Sequence, residues 1–429
     1  MVALSYMRWL DTWVGGTLVC MLGWWPRRPH AVPPAPREIV IVKLMGLGSL
    51  LTCAGVWRAL RQCQPQARIV VVSLAGTAAV ARLLPEVDEV LAISTTNFWQ
   101  MGGDGWRVWR ALRRRRVDVI VDIEYFSHLC AIFCALTGAR YRLGFLRHQA
   151  GRAGPPDPPP HAGQAVGGRA GPPDPPSHHA GRLARGRWLD GGVVLRDDQH
   201  FRTNVAQLLQ PLGVVEGPLP RVTVALPAEA LQEAEKLLAA GAPPVTSWIV
   251  VNPHASELCW QRRWPLERFA QVVAALLAGD LTLGVVLPGT ADERSRAEAL
   301  RELLLPAARA RVRVLAGQTT LAVLAGVLRQ SRLVLTGDTG VMHLAAAVGA
   351  PLVALFGPES PVRYGPAGDS RRTLVLTGEV PCGPCLCCEN RKQAPCTAEP
   401  AACMLAIPVA TVQHACEQLL SGCAAQRVP

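Results

Sequence analysis

From Glu38 onward, short apolar runs alternate with segments of helical period, and this alternation narrows the accessible folds more than any other feature. Glu38–Leu44, Arg68–Leu74, Glu89–Ile93 and Val117–Ile123 read as strands. Between them Ser49–Cys63, Thr77–Leu84 and Phe126–Thr137 read as helices. The strand runs are apolar at consecutive positions, so neither face can be left to water, and such strands belong in a parallel sheet covered by helices on both sides. A second series starts near Trp248. Its strands are Trp248–Asn252, Leu281–Leu287, Arg332–Thr336 and Pro351–Phe356. Its helices are Pro265–Ala278, Asp292–Leu304, Leu321–Gln330 and Val341–Val348. The expectation is an α/β protein with two Rossmann-like, doubly wound domains. Each would take its ligand at the carboxyl ends of its strands.

The 429 residues, half of them hydrophobic, suffice for two such cores with additions. The expected divisions are an apolar segment over 1–36, a first domain over 37–225, a second over 245–407, and a helix and tail over 408–429. Pro218–Ser247 reads as the linker and contains a polar helix, Ala228–Ala239. Within the first domain, 147–187 carries RAGPPDPP twice, at Arg152–Pro159 and Arg169–Pro176. Gly, Pro and Arg at this density cannot pack a core, so the stretch is expected to be a disordered insert without chemistry.

The apolar stretch Thr12–Trp25 is flanked by Arg8, Arg27 and Arg28 and is rich in Trp. Fourteen residues of helix reach about 21 Å, short of the roughly 30 Å hydrocarbon core. It reads as a membrane-associated helix that does not span, or alternatively as a helix packed on the protein itself. Gly105–Arg116 holds six Arg with Trp106 and Trp109 at i,i+3, a pattern for anionic headgroups or for a solvated helix face. The net charge of +12 divides as +3 in 1–37, +4 in 147–187 and +5 over the rest, so the body is only mildly basic and no nucleic-acid partner is expected. Six of the 14 cysteines lie between Cys382 and Cys403. Their spacing matches no standard zinc finger; a tetrahedral metal site stays an alternative, and the expectation is none.

The segment with the most chemistry is LVLTGDTGVMHLAAAVGAPLVALFGP, Leu333–Pro358. A buried strand ends there, Gly337-Asp338-Thr339-Gly340 turns, and a helix carrying His343 begins. Backbone N–H groups, a hydroxyl and a helix N-terminus at one point suit a diphosphate. Asp338 as a simple helix cap and His343 as a core histidine are the alternatives.

This segment closely resembles the signature of glycosyltransferase family 9, the ADP-heptose:lipopolysaccharide heptosyltransferases. The resemblance implies a GT-B architecture, with the two domains facing a cleft, and places Asp338, Thr339, Gly340 and His343 at the donor diphosphate and sugar. VVNPHASELCWQRRWP (Val250–Pro265) is similar to another family segment, with Ser256 at a phosphate-contacting hydroxyl and Arg262 where a Lys often stands. LPGTADE (Leu287–Glu293) resembles the segment whose Glu holds the nucleoside, here Glu293. IVIVKLMGLGSLLT (Ile39–Thr52) resembles the opening strand and turn, and GARYRLGF (Gly138–Phe145) the strand before the acceptor-side loop. The resemblance covers roughly Glu38–Phe145 and Asp190–Ala415.

One departure bears on mechanism. Where the family has Gly-Asp, with the Asp as proposed base, this chain has Gly48-Ser49. A neutral Ser needs another group to activate it. Asp122 and Glu124, at the end of the fourth strand, are the candidate proton acceptors; alternating strand residues share a face. Asp122 as a structural cap is the alternative. The resulting expectation is an inverting sugar transfer from a nucleotide-diphosphate sugar, by resemblance ADP-heptose, to a glycolipid or polysaccharide acceptor. It needs no cofactor and no metal, as no Asp-x-Asp stands at a suitable strand end. By resemblance the enzyme works at the cytoplasmic face of a bacterial inner membrane, in peripheral contact with it. A catalytically silent nucleotide-sugar-binding scaffold and a GT-B-like sugar-nucleotide epimerase are the rival readings.

Overall fold

The computed structural model describes residues 11–18, 30–125, 127–149, 181–182, 186, 188–239, 245–386, 396 and 398–424. The first sheet contains β1 (Glu38–Val42), β2 (Arg68–Leu74), β3 (Glu89–Ile93), β4 (Val119–Asp122), β5 (Tyr141–Gln149), β6 (Gly181–Arg182) and β7 (Gly191–Arg196). Its order is β3-β2-β1-β4-β5-β6, with β7 also on β5. Every pair is parallel except β5 with β6. The second sheet contains β8 (Ser247–Asn252), β9 (Leu283–Leu287), β10 (Val312–Val314), β11 (Leu333–Gly337), β12 (Leu352–Phe356) and β13 (Thr373–Thr377). It is parallel throughout, in the order β10-β9-β8-β11-β12-β13. Both sheets therefore run 3-2-1-4-5-6 in their own strand numbering, the doubly wound order. Each reverses direction of winding once, between β1 and β4 and between β8 and β11.

The continuous apolar runs have a direct structural cause. In β1, Ile39 and Ile41 join one core while Val40 and Val42 join another on the opposite face. In β8, Val250 faces one core and Ile249 and Val251 another. The core that takes Ile39 and Ile41 also takes Val250, Val334 and Met342, so one apolar layer continues from the first sheet to the second. Burying a side chain of this size contributes roughly 1.5–3 kcal/mol, and this shared layer joins the two lobes.

The α-helices of six residues or more, in chain order, are α1 (Leu47–Thr52), α2 (Ala54–Cys63), α3 (Ala75–Ala81), α4 (Phe98–Arg115), α5 (His128–Leu136), α6 (Phe201–Leu208), α7 (Ala228–Ala239), α8 (Leu266–Gly279), α9 (Arg294–Glu302), α10 (Leu321–Gln330), α11 (Gly340–Ala347) and α12 (Val409–Ala424). The expected helix Ser49–Cys63 is two helices. Cys53, at φ −89° and ψ 5°, separates the turn that faces α11 from the helix that covers the sheet. Helix α4 starts before Gly105, at Phe98, where the Asn97 side chain accepts from the Gln100 N–H at 2.9 Å. Helix α7, expected inside a linker, packs against α10. A Cβ on Gly326 would lie 2.8 Å from Ala234 Cβ, so the two helices touch backbone to side chain.

Of the N-terminal segment, Asp11–Leu18 is described, and its docking is specific. The Asp11 carboxylate accepts from Ser127 Oγ (2.8 Å), His128 N (3.1 Å) and Leu129 N (2.8 Å), and so caps α5. Trp13, Val14 and Leu18 remain exposed. The rest of 1–29, most of the insert at 147–187, Cys387, Cys388 and 425–429 lie outside the described residues. Among the described residues no helix is long and apolar enough to cross a membrane.

Candidate active site

Both winding reversals open into one cleft of about 910 Å³. That volume lies toward the upper end for small-molecule sites, enough for a dinucleotide-sized ligand. Its two walls are built by the loops that leave β1 and β4 on one side and β8 and β11 on the other.

On the second lobe, β11 delivers Asp338, Thr339 and Gly340 to the start of α11. Thr339 occupies the N-cap position without a side-chain capping bond, and Thr339, Gly340 and Val341 place the N-terminus of α11 on the cleft wall. The Asp338 carboxylate, one residue before that N-cap, pairs with Arg262, NH1 to Oδ2 at 3.2 Å. Arg262 also reaches Glu359, NH2 to Oε2 at 3.3 Å. Burial by itself would lower the Arg262 pKa, but Asp338 and Glu359 outweigh it and raise it above its ordinary value. The guanidinium is thus a fixed cation at the cleft wall. Asn252, the last residue of β8, donates to Thr336 Oγ1 (3.0 Å) and Thr339 Oγ1 (3.2 Å) and ties the two loops together.

The far end of this wall is set by the turn after β9. Glu293 and Thr290 form a capping box, with Thr290 N donating to Glu293 Oε2 at 2.8 Å. His254 Nε2 donates to the Pro288 carbonyl at 3.0 Å. Burial holds this imidazole below its usual pKa, with Glu293 opposing, so it is neutral near pH 7. Gly289, at φ +155°, leaves no room for a Cβ, which would lie 2.9 Å from His254 Nε2.

On the first lobe the site consists of one buried ion pair and a glycine turn. Lys43 Nζ lies 3.1 Å from Glu124 Oε1, which also accepts from Met45 N at 2.7 Å. Lys43 further stands over the Tyr125 ring, 5.7 Å from its centroid. Gly46 adopts φ +91° at the N-cap of α1, a conformation that only glycine takes without strain. Asp122 and Glu124 part company. Glu124 lines the cleft, whereas Asp122 is fully enclosed and its Oδ1 accepts from Glu124 N (2.9 Å) and Cys130 Sγ (3.2 Å). The shared face expected from strand alternation does not extend to Glu124, because β4 ends at Asp122. Asp122, Cys130 and Cys134 form a buried group whose ligand atoms lie within 4.8 Å of one another, behind the cleft wall.

The lobes meet through their own site elements. A Cβ on Gly48 would lie 2.4 Å from His343 Cδ2, and one on Gly340 would lie 2.7 Å from Leu47 Cδ2, so α1 and α11 approach at a glycine on each side. Thr52 Oγ1 and His343 Nδ1 are 3.0 Å apart, and Tyr125 and Tyr364 share a hydroxyl hydrogen bond of 2.7 Å.

Ser49, Glu124, Ser256, Arg262, Glu293, Asp338, Thr339, Gly340 and His343 all line this cleft; Asp122 does not. Sequence reasoning passed over Lys43, Asn252, Tyr125 and Tyr364. Lys43 and Asn252 carried a usable signal, a polar residue directly after an uninterrupted apolar strand. The tyrosines carried none, since their pairing depends on how the lobes meet. Of the cysteine-rich tail, the described Cys382, Cys385, Cys396 and Cys403 do not line the cleft, and Cys385 N donates to the Pro358 carbonyl at 3.0 Å.

Comparison with known proteins bears on this arrangement. Residues 199–394 match the family model described as glycosyltransferase family 9 (heptosyltransferase). The chain is 24% identical to the lipopolysaccharide heptosyltransferase 2 of Salmonella typhimurium over 347 residues, 80% of this chain and 89% of that protein. It is 32% identical to the lipooligosaccharide heptosyltransferase 2 of Haemophilus influenzae over 166 residues, a match that spans only 46% of that protein's length. The fold matches the structure of the E. coli ADP-heptose lipopolysaccharide heptosyltransferase II with a TM-score of 0.66 at 20% identity, over 90% of this chain and 99% of that one. A family 9 glycosyltransferase from Veillonella parvula matches with a TM-score of 0.66, also at 20% identity, over 91% of this chain and 99% of that one.

Proposed function

We propose that this chain, which belongs to glycosyltransferase family 9, is an inverting GT-B glycosyltransferase that moves heptose from ADP-heptose to a lipopolysaccharide-type acceptor. The observation that carries this reading is the single cleft formed where both sheets reverse, with the N-terminus of α11 and Arg262 on one wall and Glu124 on the other. The relatives named for lipopolysaccharide heptosyl transfer, and a solved E. coli heptosyltransferase with ADP (TM-score 0.58, 18% identity), support the choice of donor and acceptor.

The donor diphosphate lies against Thr339, Gly340 and the first amides of α11. Its charge is met by those N–H groups and by Arg262, with Ser256 and His343 beside it. The nucleoside extends toward Glu293. As the glycosidic bond to the diphosphate breaks, negative charge grows on the leaving oxygen, where these preorganised donors stabilise it most. The acceptor hydroxyl enters from the first lobe and attacks the anomeric carbon on the face opposite the nucleotide. Glu124 takes its proton. Lys43 and Met45 N–H orient that carboxylate, a placement that replaces the Asp absent at Ser49. Asp122 serves the fold of the β4–α5 turn instead.

Membrane contact is proposed through the first lobe. Trp99 and Trp106 of α4 are exposed, at 90% and 61%, beside Arg107, Arg110 and Arg114. Arg115 is engaged inward with Glu89. Incubating the purified chain with ADP-heptose and a heptose-deficient lipopolysaccharide core tests the function. Release of ADP with growth of the core by one heptose is expected; no transfer with any nucleotide sugar would favour a silent binding protein.

A further inference from the structure

Behind Arg262 the cleft wall continues as a row of buried charges that the transfer chemistry does not use. Asp338 pairs with Arg262 (3.2 Å), Arg262 with Glu359 (3.3 Å), Glu359 with Arg363 (3.0 Å) and Arg363 with Asp197 (3.0 Å). Glu359, Arg363 and Asp197 are 1%, 4% and 4% exposed, and none of the three lines the cleft. Asp197 belongs to the first lobe, in the turn between β7 and α6, so the row crosses from one lobe to the other. The same crossing is fixed by His200 Nε2 donating to the Gly365 carbonyl at 3.0 Å and by Phe201 stacked on Tyr364, centroids 5.6 Å apart.

The carboxylate of Glu359 is the point of decision in this row. One oxygen faces Arg262 and the other faces Arg363. Left to Arg262 alone, a buried carboxylate would take most of that cation's field and leave little for a ligand. Arg363 answers Glu359 from behind, and Asp197 fixes Arg363 in turn. The Arg363 charge is secure: burial would lower its pKa, but Glu359 and Asp197 raise it above its ordinary value.

We propose that Arg363 is a positioning residue for donor binding: by neutralising Glu359 it frees Arg262 to present its charge to a diphosphate, and Asp197 makes that service depend on the first lobe. The proposal rests on the donor site described above. It goes beyond that site because it assigns anion affinity to two side chains that never touch the ligand.

The test is calorimetric titration of the full chain with ADP. For Arg363→Gln, Glu359 is left to Arg262 and ADP binding is expected to weaken about tenfold. For Glu359→Gln the competing carboxylate is gone, and binding is expected to tighten about threefold. The double variant Glu359→Gln/Arg363→Gln is expected to return to within about threefold of wild type, a rescue that a purely structural role does not produce. Arg363→Gln with wild-type affinity, or a double variant no better than Arg363→Gln, overturns the proposal. Should Arg363→Gln fail to fold, Glu359→Gln decides alone, since weaker binding there contradicts the charge balance. A wild type that binds no ADP removes the donor site and this proposal together, whereas ADP binding that all variants share removes only the proposal.

Discussion

The two lobes of this protein run the same strand order and place their loops at the same topological point, yet the chemistry at those points is opposite in kind. In the second lobe the loops after β8 and β11 present helix amides, hydroxyls and Arg262, an environment for an anion. In the first lobe the loops after β1 and β4 present a Lys43–Glu124 pair beside a glycine turn, an environment that can take a proton. The doubly wound sheet decides where a ligand goes. Which ligand, and what happens to it, is decided by a handful of loop residues that the sheet merely positions.

The comparison breaks most completely in the second lobe. Asp338→Ala removes a carboxylate that, unlike Glu359, itself lines the cleft at the start of α11, and His343→Ala removes the ring that touches both α1 and the cleft. Each is expected to abolish donor turnover in a transfer assay while the circular dichroism spectrum stays that of the parent. Retained turnover in both would separate the anion-binding assignment from these residues.

In the first lobe the expected loss is smaller and selective. Glu124→Gln should lower kcat by about 10²–10⁴-fold, the usual worth of a general base. Asp122→Asn should show itself mainly as a lower melting temperature, because its carboxylate accepts from Glu124 N and Cys130 Sγ and does not reach the cleft. Equal kinetic losses in the two variants would contradict this division. Ser49→Ala should change kcat least, by less than about threefold, since a hydroxyl without an activating partner contributes little as a base. A loss as large as that of Glu124→Gln would return the base role to the Ser49 position.

The seam between the lobes responds to pH. His200 is held at a pKa of about 4, mainly by burial, against an ordinary value of 6.5. A histidine depressed in the folded state stabilises the fold fully above pH 6.5. That contribution is lost progressively as pH falls from 6.5 toward 4, because the unfolded chain binds the proton first. The melting temperature should fall over that window in the wild type and fall less in His200→Gln. The same slope in both would assign the acid sensitivity elsewhere.

Much of this was legible in the sequence, and the reasons are particular. Strands β1, β2, β4, β8, β11 and β12 are buried on both faces and announce themselves as apolar runs. β10 and β13 escaped reading: one is three residues long and carries Arg313, and the other is half-exposed at a sheet edge. Helix α4 was read too short because Gly102, Gly103 and Gly105 weaken its first half on propensity grounds. That Asp338, Thr339, Gly340 and His343 line one cleft was legible because a strand, a glycine turn and a helix sit in immediate succession. That Glu124 lines the cleft and Asp122 does not was not legible, since it turned on β4 ending at Asp122. The row from Asp338 to Asp197 was hidden entirely, as its members are up to 166 positions apart in the sequence read with Asp197 at one end and Arg363 near the other.

The division of labour between the lobes is tested most directly by measuring donor affinity and single-turnover transfer on the same two variants. Glu124→Gln should bind ADP-heptose within about threefold of wild type and yet transfer about 10²–10⁴-fold more slowly. Asp338→Ala should lose the binding itself. If Glu124→Gln loses donor affinity as Asp338→Ala does, or if Asp338→Ala binds normally and fails only in transfer, the two walls of the cleft do not have the separate roles assigned to them.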